Sequence, residues 1–153
     1  MKKSFSKVFI VFAVLFMNAS LFNSVLALTD KVPIDFESLP KVALSAIEYN
    51  WPSTTIVAAV KEGERYEVLL SDDTQVEFDK KGNWLEAECS DGLPETIIPV
   101  EIRIYIANRY PHVLITEIKR KLDKKAQPQR YEVETANGMD LIFDKNGKFV
   151  RID

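Results

Sequence analysis

Two spacings of apolar residues follow one another along this chain, and their order recurs. After Pro40, Val42, Ala43, Ala46 and Ile47 fall on one helical stripe, and after Pro99, Ile102, Tyr105 and Ile106 do the same. Proline is harmless at the first turn of a helix, where its missing N–H has no partner to lose. Pro52 and Pro111 then stop each helix. Beyond the first stop the period shortens to two. Tyr66, Val68 and Leu70 alternate with Glu67, and Val76 and Phe78 alternate with Gln75 and Glu77, the pattern of strands wet on one face. Ser71-Asp72-Asp73 and Ala136-Asn137-Gly138 suit tight hairpin turns, and residues 79–82 and 144–147 bring a glycine where φ can be positive. The unit reads as one short helix followed by about four antiparallel strands.

The unit occurs twice. Pro40 and Pro52 recur as Pro99 and Pro111 at an offset of 59, while Tyr66-Glu67-Val68 recurs as Tyr131-Glu132-Val133 at 65. Phe78-Asp79-Lys80-Lys81-Gly82-Asn83-Trp84 likewise returns as Phe143-Asp144-Lys145-Asn146-Gly147-Lys148-Phe149. The second copy therefore carries six extra residues, which fall within 119–130. That stretch holds six basic residues and one acidic one, and it reads as a solvated hairpin extension. Repeat one spans 39–89 and repeat two 98–153, joined through Ser90-Asp91-Gly92-Leu93-Pro94.

These elements predict an α+β fold in which one antiparallel sheet of about eight strands carries both helices on one face and leaves the other open. Strict alternation directs Tyr66, Val68, Phe78, Leu85, Tyr131, Val133, Phe143 and Val150 toward the helices. It directs Glu67, Glu77, Trp84, Glu132, Glu134, Ile142, Phe149 and Arg151 toward the open side. Trp84 and Phe149 occupy equivalent positions, so two aromatics are expected on a face otherwise lined by charge. Aromatic groups within a polar rim suit a protein interface.

The N-terminus adds a destination. Lys2, Lys3 and Lys7 precede an apolar run at residues 8–17, followed by Val25-Leu26-Ala27. This is the grammar of a secretory signal peptide over 1–27, with cleavage expected after Ala27. The apolar run falls short of the roughly 20 residues of a membrane span. The mature chain is then a single domain, 28–153, with no stable membrane anchor and a periplasmic or secreted location. Loss of the three lysines leaves 17 basic residues against 23 acidic ones, so the net charge moves from −3 to −6. That balance argues against nucleic acid as a partner. Cys89 is the sole cysteine, so packing alone must hold the domain together.

No catalytic pattern emerges. His112, the sole histidine, follows Pro111 in a helix stop, and pairing with Cys89 has no local signature. The turns at 79–82 and 144–147 place glycine fourth rather than sixth and lack the glutamate of a calcium loop. Turn chemistry accounts for them better. The expectation is no enzyme, no cofactor and no resident metal.

The proline-started helix, the Trp51-Pro52 and Tyr110-Pro111 stops, the Tyr-Glu-Val strands and the Phe-Asp-Lys-x-Gly-x-aromatic hairpins resemble those of PepSY-like periplasmic proteins. These share their two-repeat architecture with β-lactamase inhibitor proteins. The resemblance covers 39–153 and implies a non-catalytic extracytoplasmic module that docks or inhibits a protein partner on its open sheet face. An alternative is a calcium- or small-ligand-responsive protein whose acidic turns bind the ion and alter the surface, and a third reading extends one of the sheet's two free edges with a partner strand.

Overall fold

The computed structural model describes residues 31–153; the predicted signal segment, 1–27, lies outside the described residues. Among the described residues, nine strands form one antiparallel sheet in strict sequence order. They are β1 (Lys31–Pro33), β2 (Ile56–Glu62), β3 (Arg65–Leu70), β4 (Gln75–Asp79), β5 (Trp84–Glu88), β6 (Ile115–Leu122), β7 (Pro128–Thr135), β8 (Asp140–Asp144) and β9 (Phe149–Ile152). Helices α1 (Lys41–Asn50) and α2 (Val100–Arg109) lie in the β1–β2 and β5–β6 connections, each preceded by a three-residue 3-10 turn. The α+β architecture matches the reading from sequence. The strand beyond the expected eight is β1, whose three residues are too few to show a period.

Pro40 and Pro99 are the N-caps, and each helix closes with the N–H of Trp51 or Tyr110 donating to Ile47 O or Ile106 O. Ala43, Ile47, Ile102 and Ile106 are buried against Val68, Leu70, Val76, Phe78, Ile118, Val133, Leu141 and Phe143. The main core therefore sits between the two helices and one face of the sheet, and a small second cluster of Val60 and Leu69, with Ala58 against it, lies apart from it. Val42, assigned to the buried stripe, is instead 55% exposed.

Five of the hairpins use one turn. The first residue's N–H donates to the fifth residue's carbonyl, and the fourth residue's N–H donates back to the first, at 70–74, 79–83, 123–127, 135–139 and 144–148. The fourth residue has positive φ in every case: Asp73, Gly82, Ala126, Gly138 and Gly147. This is a three-residue hairpin loop ending in a left-handed residue. In three of the five an aspartate begins the turn, and its Oδ1 accepts the N–H groups of the third and fifth residues, as Asp79 does from Lys81 and Asn83. The basic stretch 119–130 is a hairpin extension of this kind, built on Asp123. Gly82 is needed for a second reason: a Cβ there would come within 2.7 Å of Ala43 N, so the β4–β5 turn presses on the first turn of α1.

The alternation rule fails at two equivalent places. Phe78 pairs with Trp84 but Glu77 pairs with Glu86, leaving Leu85 as an extra residue; Phe143 pairs with Phe149 but Ile142 pairs with Arg151, leaving Val150. A bulge of one residue reverses the parity of everything before it. Trp84 and Phe149 consequently pack against the core on the helix side, not on the open face. Leu85 and Val150, expected inside, are not among the residues that form or line the core.

Candidate functional site: the open sheet face

The register places two rows of side chains on the helix-free face. One row runs Glu67, Glu77, Glu86, Lys119, Glu132, Ile142, Arg151; the next runs Leu69, Gln75, Glu88, Glu117, Glu134, Asp140. Of the residues assigned to this face from sequence, Glu67, Glu77, Glu132, Glu134, Ile142 and Arg151 are there. Trp84 and Phe149 are the two that are not.

Among the described residues no helix covers this face, yet it is not fully wet. Glu67, Gln75, Glu77, Glu117 and Ile142 all rank as buried, because neighbouring strands hold their side chains against one another. Charge is partly compensated within the rows. Lys31 of β1 reaches across to Glu67 at 2.6 Å and to Glu62 at 3.7 Å, and Arg65 pairs with Glu77. Lys119 lies 2.6 Å from Glu117 and 3.5 Å from Glu86, and Arg130 and Lys121 approach Glu132.

Desolvation dominates the titration of these acids. Burial pushes Glu67 and Glu77 above the usual carboxylate range, against the opposing pull of Lys31 and Arg65 respectively. Glu88 is also raised, first by burial and then by the nearby charge of Glu86. Lys119 loses charge stability to burial, but Glu117 and Glu86 outweigh that and hold it above its ordinary value.

Carboxylate oxygens of Glu86, Glu88 and Glu117 come within 4.8 Å of one another. Sequence reasoning missed this group because β5 and β6 are joined through α2, so no local pattern shows that Glu117 stands opposite Glu88. The ammonium of Lys119 already stands among these oxygens, while Glu88 Oε2 and the neighbouring Gln75 Oε1 are buried atoms with no hydrogen-bond partner among the described residues.

The turn aspartates are otherwise engaged. Asp79 is raised by burial, yet the hydrogen bonds from Asn83 and Lys81 prevail and hold it below the usual range. Cys89 is buried with Sγ 3.9 Å from Asp72 O, and His112 is exposed in the left-handed stop after α2. Neither placement assembles a nucleophile and its base.

The profile of the family described as "Putative beta-lactamase-inhibitor-like, PepSY-like" matches residues 27–74 and 64–151. The chain belongs to this PepSY-like family. Among solved structures, a "putative calcium-regulated periplasmic protein" from Bacteroides thetaiotaomicron is 33% identical with a TM-score of 0.73, covering 81% of this chain and 97% of its own. A "putative periplasmic protein" from Bacteroides vulgatus is 30% identical with a TM-score of 0.72, covering 81% of this chain and 97% of its own. A second from the same organism, of unknown function, is 28% identical at 0.72, covering 80% and 98%. No curated protein matches the sequence. Among the described residues of this PepSY-like chain, no helix is long and apolar enough to cross a membrane.

Proposed function

We propose that this PepSY-like protein is a non-catalytic module of the periplasm that docks a protein partner on its open sheet face. The observation that carries the reading is a broad face that no helix of the described residues covers, with seven glutamates in two adjacent cross-strand rows: Glu67, Glu77, Glu86, Glu88, Glu117, Glu132 and Glu134. Lys119 and Arg151 are the only bases within those rows, and Lys31, Arg65 and Arg130 reach in from their margins. The excess is acidic, so the complementary surface is basic. Ile142 and Leu69 give the face an apolar component. The relatives described as periplasmic support the location.

The experiment is capture from envelope extract by the wild-type protein and by a Glu88→Lys/Glu134→Lys double variant of unchanged melting temperature. A partner retained by the wild type, released by raised salt and lost by the variant supports the reading. Equal capture by both removes the open face as the docking surface.

A second reading is that the protein responds to calcium through Glu86, Glu88 and Glu117. Its support is the close approach of their oxygens and the relative described as calcium-regulated. Lys119 competes for the same oxygens, so calcium would have to displace its ammonium. A rise in melting temperature at millimolar calcium that is abolished by Glu88→Gln supports this reading; no shift discards it.

A further inference from the structure

The two repeats do not end alike. By the 65-residue offset, β9 corresponds to β5: Phe149 to Trp84, Arg151 to Glu86, Ile152 to Ala87 and Asp153 to Glu88. Strand β5 is covered on its far side by β6, with Glu86 opposite Lys119, Ala87 opposite Ile118 and Glu88 opposite Glu117. Among the described residues, strand β9 pairs with β8 and with no strand beyond it. The consequence is visible in exposure: Ala87 is 0% exposed, whereas its counterpart Ile152 is 55% exposed and Val150 53%.

The edge is also open for backbone pairing. Asp153 N–H donates to Asp140 O, so by antiparallel alternation the N–H and C=O of Ile152 point outward. Beside this edge, on the helix side, a groove of about 760 Å³ runs between α2 and β9. Its lining includes Ile104, Tyr105 and Phe149, with Arg109 and Lys148 among its charged groups.

We propose that β9 accepts an extended segment of a partner protein as a tenth, antiparallel strand, seated as β6 is seated on β5. This edge adjoins the open face, to which Arg151 belongs, but strand addition there does not depend on docking to that face. The repeat specifies the occupant. The residue opposite Ile152 faces the helix side, where Ile118 stands against Ala87, and must be apolar. Arg151 and Asp153, which pair with each other at 2.8 Å on the exposed margin, call for an acidic residue and a basic one across from them. Running antiparallel to β9, the segment reads basic, apolar, acidic from its N-terminus, a strand-addition mode in which backbone bonds give affinity and side chains give order.

The test uses two synthetic peptides and the purified protein. One has the sequence of residues 115–122, which sets Glu117 against Asp153 and Lys119 against Arg151; the other carries Glu117→Lys and Lys119→Glu. The swapped peptide is expected to bind about tenfold more tightly, to protect the Ile152 amide from hydrogen exchange and to shift the β9 amide resonances. An Arg151→Glu/Asp153→Lys variant should reverse the preference between peptides. Ile152→Pro, checked for an unchanged melting temperature, should abolish binding of both. Equal binding of the two peptides, an unprotected Ile152 amide, an unreversed preference, or a stable self-paired dimer that the swapped peptide leaves intact would each overturn the proposal.

Discussion

The ring of Phe149 lies flat on that of Tyr105, with centroids 4.6 Å apart and planes 10° from parallel. The first repeat fills the same place differently: Ala46 stands at the position equivalent to Tyr105, and the indole of Trp84 is covered by the Arg120 guanidinium at 4.0 Å. One aromatic position in the fold is thus closed by a helix residue in one copy and by a strand residue in the other. Both rings serve the core.

Phe149→Ala is therefore a stability mutation. It removes the stack on Tyr105 and the edge contact with Phe143 at 5.9 Å, and is expected to cost about 2–4 kcal/mol in denaturant unfolding. Capture of a partner by the open face, measured well below the melting temperature, should be unchanged.

Arg120 holds Trp84 by two contacts, the guanidinium over the ring and Nε–H donating to Trp84 O at 2.6 Å. Burial lowers its pKa, though not enough to discharge a guanidinium. Lysine can supply the charge but neither the planar stack nor the Nε–H geometry. Arg120→Lys is expected to lose about 1–2 kcal/mol and to move the Trp84 fluorescence to longer wavelength.

Ala126 occupies, at φ +59°, the turn position that Gly82, Gly138 and Gly147 fill elsewhere. A Cβ in the left-handed region is a cost that glycine avoids. Ala126→Gly is expected to raise stability by about 1 kcal/mol despite the looser unfolded chain, read as a higher urea midpoint with an unchanged slope.

Burial, and then the charge of Glu86, push the Glu88 carboxyl above the usual carboxylate range. The folded state therefore binds this proton more tightly than the unfolded state does. The favourable contribution is complete below the unfolded value and is lost as pH rises through the raised folded one. Glu67 and Glu77 act in the same direction. Glu88→Gln should accordingly raise the melting temperature by a few degrees at pH 7.5, and the difference from wild type should close below about pH 4.5.

Helices, turns and the repeat were legible because each rests on local chemistry: Pro40 and Pro99 at helix starts, Asp79 and Asp144 at turns, and period-two apolar residues between them. Faces were legible as far as alternation held, so Glu67, Glu77, Glu132 and Glu134 were placed correctly. Trp84 and Phe149 were not, because the extra residues Leu85 and Val150 look like any other apolar strand residue until the partner strand is known. Strand β1 escaped for a related reason. Three residues make a strand only because β2 offers them an edge and Glu67 offers Lys31 a partner. The grouping of Glu86, Glu88 and Glu117 required knowing that β5 and β6 are neighbours across a helical connection, which no local pattern announces.

Neighbouring strands in this sheet are always neighbours in sequence as well. Six of the eight pairings are hairpins whose register closes locally, while β1–β2 and β5–β6 pair across a helical connection; the local contacts of the hairpins favour rapid folding. The first half can order while the second is still being delivered, and with one cysteine in the sequence no oxidation step has to be awaited. Assembly can then follow the direction in which the polypeptide emerges, from β1 onward.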